Sequence, residues 1–162
     1  METDYLRSFS IKSETFSIFE NTVRQSIDSF ITENRVIDSL ENGTIELSHY
    51  HSLLISLFHQ VFNSSGSFAL AGSMCSTKQI AAREYLFHHA EEEMTHWQWI
   101  LSDLKNTGYT GPDPRDISPP VSSTAYLSYA YYLALKYPIG RLGMALVLEG
   151  ISGSFGLKYG QL

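Results

Sequence analysis

Apolar residues recur along the chain at steps of three and four, and no alternating strand pattern of any length interrupts them. The spacing predicts a first helix from a cap at Ser13 or Thr15 to about Leu40, with Phe16, Phe19, Val23, Ile27, Phe30 and Ile31 on one face. Glu41-Asn42-Gly43-Thr44 stops it, because Asn-Gly favours left-handed backbone, and Thr44 is placed to cap a second helix from about Ile45 to Phe62. Asn63-Ser64-Ser65-Gly66 reads as a break, followed by a short small-residue helix from about Phe68 to Cys75. Thr77 is a good cap for the longest helix, about Lys78 to Asn106, which Gly108 ends. Thr107 to Pro120 holds four prolines and two glycines and reads as a loop. Ser122 or Ser123 caps a helix through Tyr137; Pro138 interrupts it, and a last helix from about Ile139 carries Glu149. Helices of these lengths joined by short connections predict an all-α bundle.

The bulk numbers narrow this little further. A chain of 162 residues suits a single helical domain, 1–162, and 43% hydrophobic against 17% charged residues is enough apolar material for a core. A net charge of −6 with no basic stripe argues against a nucleic-acid partner. The N-terminal Met1 to Ser10 has no apolar core of a signal peptide, and no apolar run is long enough for a bilayer, so a cytoplasmic protein with no membrane partner is expected. The single cysteine, Cys75, rules out an intramolecular disulfide and any cysteine-rich metal site.

The chemistry concentrates in Leu86-Phe87-His88-His89-Ala90-Glu91-Glu92-Glu93-Met94-Thr95-His96-Trp97. At about 100° per residue, His89, Glu93 and His96 fall within about 60° of one another. Glu92 lies at the edge of that stripe, and Glu91 points away. A carboxylate and an imidazole one turn apart, Glu93-x-x-His96, can reach one metal or two adjacent ones, as in di-iron carboxylate bundles. Oxygen and nitrogen donors without thiolate suit iron or manganese. Glu-x-x-His also occurs by chance on solvated helices; Ala82 and Tyr85 on the same face mark it as the inward one, and His89 adds a third ligand type.

Glu149 sits among Leu142, Ala145, Leu146, Val147, Leu148 and Ile151. A lone acid there is costly to bury unless it is paired or ligates a metal, and the nearest cation in sequence is Arg141. His49, His51 and His59 on the second helix are read as ordinary core or surface residues, with His59 the first reserve ligand. Cys75 reads as a packed small hydrophobe and only secondarily as a nucleophile. Gly150, Gly153 and Gly156 would permit close approach of a helix or of a flat ligand, or simply fray the helix.

These segments together resemble the heme-oxygenase-like proteins grouped as iron-containing redox enzymes. The resemblance is carried by His89 to His96, by Leu101-Ser102-Asp103-Leu104 with Gly108, and by Tyr137 to Gly143 leading into Val147-Leu148-Glu149-Gly150. The second helix and its small-residue continuation are also similar, so most of residues 45–155 is covered. The resemblance implies a heme-oxygenase-like helical bundle in which Glu93 and His96 stand on the first metal-binding helix and Glu149 on the second. It implies ferrous iron (Fe2+), two per complete site, with O2 as co-substrate, acting on a small-molecule substrate such as a fatty acid, an amino acid or another amine. Carbon–carbon cleavage or N-oxygenation would result, with no catalytic residues beyond the metal ligands, and homodimers are common in the class. The family carries a third metal helix bearing His, Asp and His after the counterpart of Glu149; here no histidine follows His96 and the chain reaches only Leu162. The expectation is therefore a bundle lacking its last helices, with His89 as a further ligand. Heme binding, metal-free chemistry of the thiaminase or cofactor-biosynthesis type through Cys75, and a non-catalytic helical scaffold are the competing readings, and fold alone does not choose among them.

Overall fold

The structure, a computed structural model, describes residues 14–159. All regular structure among the described residues is helical, with no strand. The chain divides into two compact units, one of residues up to Asn42 together with those from Val147 onward, the other from Gly43 to Leu146. No helix among the described residues is long and apolar enough to cross a membrane.

The first unit holds helix α1, Glu14–Glu33, and helix α2, Arg35–Glu41. The single helix expected from a cap at Ser13 or Thr15 to Leu40 is thus two. Asn34 divides it: its backbone is extended (φ −82, ψ 116), and its side-chain oxygen accepts from the amides of Val36 and Ile37. That side chain offers the second helix its own N-cap, which outcompetes continuation of the first. Thr15 lies inside α1, and Ser13 lies outside the described residues. Gly43 follows α2 at φ +63, the left-handed turn that Asn-Gly was expected to make. The first unit also contains the later part of helix α7, Pro138–Tyr159. There Gly150 approaches Ile27 of α1 so closely that a Cβ would collide with the Ile27 side chain, whereas Gly153 faces open space. The side chain position of Gly156 lies outside the described residues. Close approach of a helix is therefore the role observed at Gly150.

In the second unit, helix α3 spans Leu47–Met74 and packs against α4 (Ile80–Glu93), α5 (Trp97–Asn106) and α6 (Val121–Lys136). The expected break at Asn63 to Gly66 does not occur, and neither does a separate helix from Phe68 to Cys75. The small polar residues stay helical because they bond within the helix or across it. Asn63 Nδ2 donates to the His59 carbonyl at 2.8 Å, and Ser67 Oγ to the Ser64 carbonyl at 2.8 Å. Gly66 lies under the Tyr131 hydroxyl, 2.9 Å from where a Cβ would sit, so a missing side chain serves helix packing rather than a turn. The second helix also starts later than expected, with Glu46 at its N-cap position.

The expected helix from Lys78 to Asn106 is likewise divided, into α4 and α5. Through Met94, Thr95 and His96 the backbone stays right-handed but tightens to bonds over three residues, among them Met94 N to Glu91 O (3.2 Å) and Trp99 N to His96 O (3.1 Å). The Trp97 indole nitrogen donates to the Met94 carbonyl at 2.9 Å, taking an acceptor that a continuous helix would have filled with a backbone amide. The N-cap of α4 is Gln79, not Thr77. At the other end of α5, Gly108 (φ +75) closes a Schellman turn, with Tyr109 N bonded to Leu104 O and Gly108 N to Lys105 O.

The loop from Thr107 to Pro120 includes a short 3-10 turn, Pro114–Asp116, and is tied back to α3 where His51 Nε2 meets Thr107 Oγ1 at 3.0 Å. Helix α6 begins after Pro120, and Ser123, an expected cap, instead donates from its buried side chain to the Ser56 carbonyl on α3 at 2.9 Å. Lys136 ends α6, and Pro138 opens α7, where its missing amide costs nothing. The core gathers Phe68, Ala71 and Cys75 with Leu86, Ala90, Ala134 and Ala145. Four of these seven are alanines, which lets the helices approach closely around the two large side chains, Phe68 and Leu86.

Candidate metal centre

Helix α4 buries Leu86, His89, Ala90 and Glu93, a stripe at steps of three, one and three that forms one face of the helix. Leu86 and Ala90 anchor that face in the core, which carries His89 and Glu93 inward with it. Tyr85, expected on the inward face, is 41% exposed, and it stacks on the His89 ring from outside, with centroids 5.7 Å apart.

Glu93 is the centre of the cluster. Its Oε1 lies 3.1 Å from His96 Nδ1 and 3.9 Å from His89 Nε2, and its Oε2 accepts from Ser64 Oγ at 3.0 Å. His89 and Glu93 present ligand atoms within 4.8 Å of each other. Glu92, exposed on the next position, reaches His89 Nδ1 at 3.3 Å. The Phe68 ring meets the His89 ring edge-on at 4.4 Å. His96 lies in the tightened turn beyond α4, which preserves its reach back to Glu93 three residues earlier, and it stacks on Trp99 with centroids 4.3 Å apart.

A carboxylate this buried needs compensation. Among the described residues, the ion-pair partners of Glu93 are both histidines, whose charge depends on protonation. A neutral imidazole supplies no counter-charge, whereas a divalent cation held between Glu93 and the two rings would. The donors are all oxygen and nitrogen, so the group fits a borderline or hard cation such as iron or manganese. The Glu92 contact fits as well: a Nδ1–H donating to Glu92 leaves the His89 Nε2 lone pair toward Glu93.

Sequence spacing identified His89, Glu93 and His96, and the structure brings these three together. Glu149 lies on the part of α7 that belongs to the first unit, and it is exposed, not buried as expected from its apolar neighbours. Leu146, three residues earlier on the same helix, is also exposed. Arg141, the nearest cation to Glu149 in sequence, has partners of its own. Its guanidinium is 1% exposed, donates from Nε to Ser67 Oγ at 3.0 Å, and lies with Cζ 3.6 Å from the Phe68 ring centroid. Burial pushes the Arg141 pKa down, while Tyr126, Glu93 and Tyr131 favour its charge. Burial likewise raises the pKa of Tyr126.

Ser64, Phe68, Tyr126 and Arg141 were not singled out as site residues from sequence. Ser64 sat in the supposed helix break. Arg141 carried a usable signal, as the one charged residue between Pro138 and Leu148. Of the other histidines, His59 is buried against Phe58 with ring centroids 5.4 Å apart, and burial lowers its pKa. Cys75 is 7% exposed within the apolar core cluster, the setting of a packed small side chain rather than a nucleophile.

No protein-family model matches the chain, and no curated protein matches it. Among solved structures it is similar to a domain of unknown function with a heme oxygenase-like fold from Shewanella denitrificans, with a TM-score of 0.71 and 23% identity. The match covers 85% of this chain and 65% of that one, so this chain spans less than two thirds of that structure's length. The chain is an all-α protein with a heme oxygenase-like fold.

Proposed function

We propose that this protein is a non-heme iron oxidase or oxygenase acting on a small organic substrate, with ferrous iron held by Glu93, His96 and His89. A second iron bound beside the first would make it a di-iron centre of the carboxylate type. The observation that carries the reading is the Glu93 carboxylate, buried on the inner face of α4 between two imidazoles with no lysine or arginine in ion-pair contact among the described residues. When bound, iron would supply the redox chemistry toward O2 that no side chain here can supply.

The chain's own residues have definite parts. Ser64 fixes one oxygen of Glu93 and so sets the direction of the other. Glu92 fixes the ring of His89, and Trp99 the ring of His96, so that neither imidazole must be ordered when the cation arrives. Phe68 closes one side of His89 with apolar surface, which limits water around the site.

Equilibrium dialysis with Fe(II) under anaerobic conditions tests the assignment. Glu93→Ala is expected to weaken iron binding by at least about tenfold. Unchanged binding in Glu93→Ala would remove the centre from α4.

A further inference from the structure

Arg141 is the most fully buried charged group among the described residues, at 1% exposure. A guanidinium carries five N–H donors in a fixed fork. One, on Nε, goes to Ser67 Oγ at 3.0 Å, and the flat of the group lies against Phe68. Nη1 is buried and has no hydrogen-bond partner among the described residues. Buried arginines are normally answered by a carboxylate, often by two parallel bonds. Arg141 makes no such ion pair among the described residues. Glu93 is close enough to favour the arginine's charge, but its two oxygens are already engaged by Ser64 and His96.

The combination is unusual in stability terms. A buried cation with no direct ion pair, favoured by Glu93 only through space, is costly, and a chain selected for stability alone would do better with an apolar residue of similar volume. The Ser67 bond and the Phe68 face hold the group in one orientation, which is what a ligand-binding cation requires and a solvated one does not. Tyr126 and Tyr131, which also favour its charge, bring two phenol groups into the same surroundings.

We propose that Arg141 is an anion-binding residue that receives the carboxylate of a small organic acid through its free Nη1 donor. Resting on the iron reading above, that acid is the substrate: the guanidinium holds its carboxylate beside the Glu93 cluster, and a cationic amine without an acid group is rejected by charge. Ser67 and Phe68, the two partners described for the Arg141 guanidinium, belong to the second unit as Arg141 does, so the subsite is built within that unit.

Thermal unfolding of the metal-free full chain tests this without iron and without turnover. Sodium acetate and sodium butyrate are titrated against acetamide and sodium chloride at constant ionic strength. Ligands that bind only the folded state raise the melting temperature progressively, with the logarithm of their concentration once it exceeds Kd. The expected result is such a rise with both carboxylates and none with the neutral amide or with chloride. Arg141→Gln should weaken the carboxylate response at least about tenfold, the loss expected for a charge-assisted pair. Ser67→Ala, which leaves the guanidinium in place, should still respond to carboxylate, so the test does not depend on the stability of a single variant. Equal responses to acetate and acetamide in the wild type would overturn the proposal, as would an undiminished response in Arg141→Gln; either outcome makes Arg141 a structural pin between α7 and α3. Fe(II) binding is read separately. Iron binding without a carboxylate response defeats this inference alone, and a carboxylate response without iron binding defeats the iron reading while leaving the anion site standing.

Discussion

Leu86 couples the core to the candidate centre, and its truncation is the sharpest test of how the site is held. Leu86 is 0% exposed and lies one turn before His89 on the same buried face of α4. Leu86→Ala removes three carbons, and about 0.8 kcal/mol per buried methylene gives roughly 2.4 kcal/mol of lost transfer energy. A cavity term adds to it. The neighbours in the cluster are mostly alanines and the thiol Cys75, short side chains that cannot swing in to refill the space. The expected destabilisation is therefore about 3–5 kcal/mol, at the upper end for such changes. For a chain of this size each kcal/mol shifts the melting temperature by about 2–4 °C. Urea titration followed by far-UV circular dichroism measures it, with the midpoint falling and the slope unchanged. A loss below about 1 kcal/mol would refute the packing described for α4, and with it the reason His89 and Glu93 face inward.

Further outcomes follow from the same contacts. Asn34→Ala removes the acceptor for the Val36 and Ile37 amides and should cost about 1 kcal/mol in urea titration; no loss would mean that the chain break between α1 and α2 is not made by this cap. His59 has its pKa lowered by burial, so the folded protein binds its proton less readily than the unfolded chain does. Its contribution is intact above the unfolded value of about 6.5 and is lost as pH falls below it, because the unfolded state then takes up the proton first. Urea midpoints measured on either side of that value should fall less steeply with acid in His59→Phe than in the wild type, and equal slopes would refute the assignment.

How much of this was legible in the sequence differs from one segment to the next. Helical content and the Gly43, Gly108 and Pro138 stops were readable because they rest on local chemistry: positive φ at the two glycines, a missing amide at the proline. Asn63 to Gly66 looked like a break because its residues are individually poor helix formers. Besides the local bond of Asn63 to the His59 carbonyl, Ser64 bonds Glu93 and Gly66 lies under Tyr131, partners far away in the chain. The division between α4 and α5 was hidden for the opposite reason. Its helical periodicity continues through Met94 to His96, whereas the division shows only in the tightened backbone bonds there and in the Trp97 indole taking the Met94 carbonyl.

The centre divides along the same line. His89, Glu93 and His96 lie within two turns of one another, and a one-dimensional spacing places them correctly on one side of the chain. Ser64 and Arg141 join them only through tertiary packing, which no local pattern encodes. For Glu149 the apolar flanking sequence suggested burial, yet the residue is exposed, since flanking hydrophobicity does not say which face of the helix is covered.

The most direct test of the iron reading is the anaerobic Fe(II) stoichiometry of the wild-type chain, measured by equilibrium dialysis beside Glu93→Ala. One to two irons per chain, lost or sharply weakened in the variant, is the result expected from a buried carboxylate between two imidazoles. No iron on the wild-type chain, or the same iron on both, would contradict it.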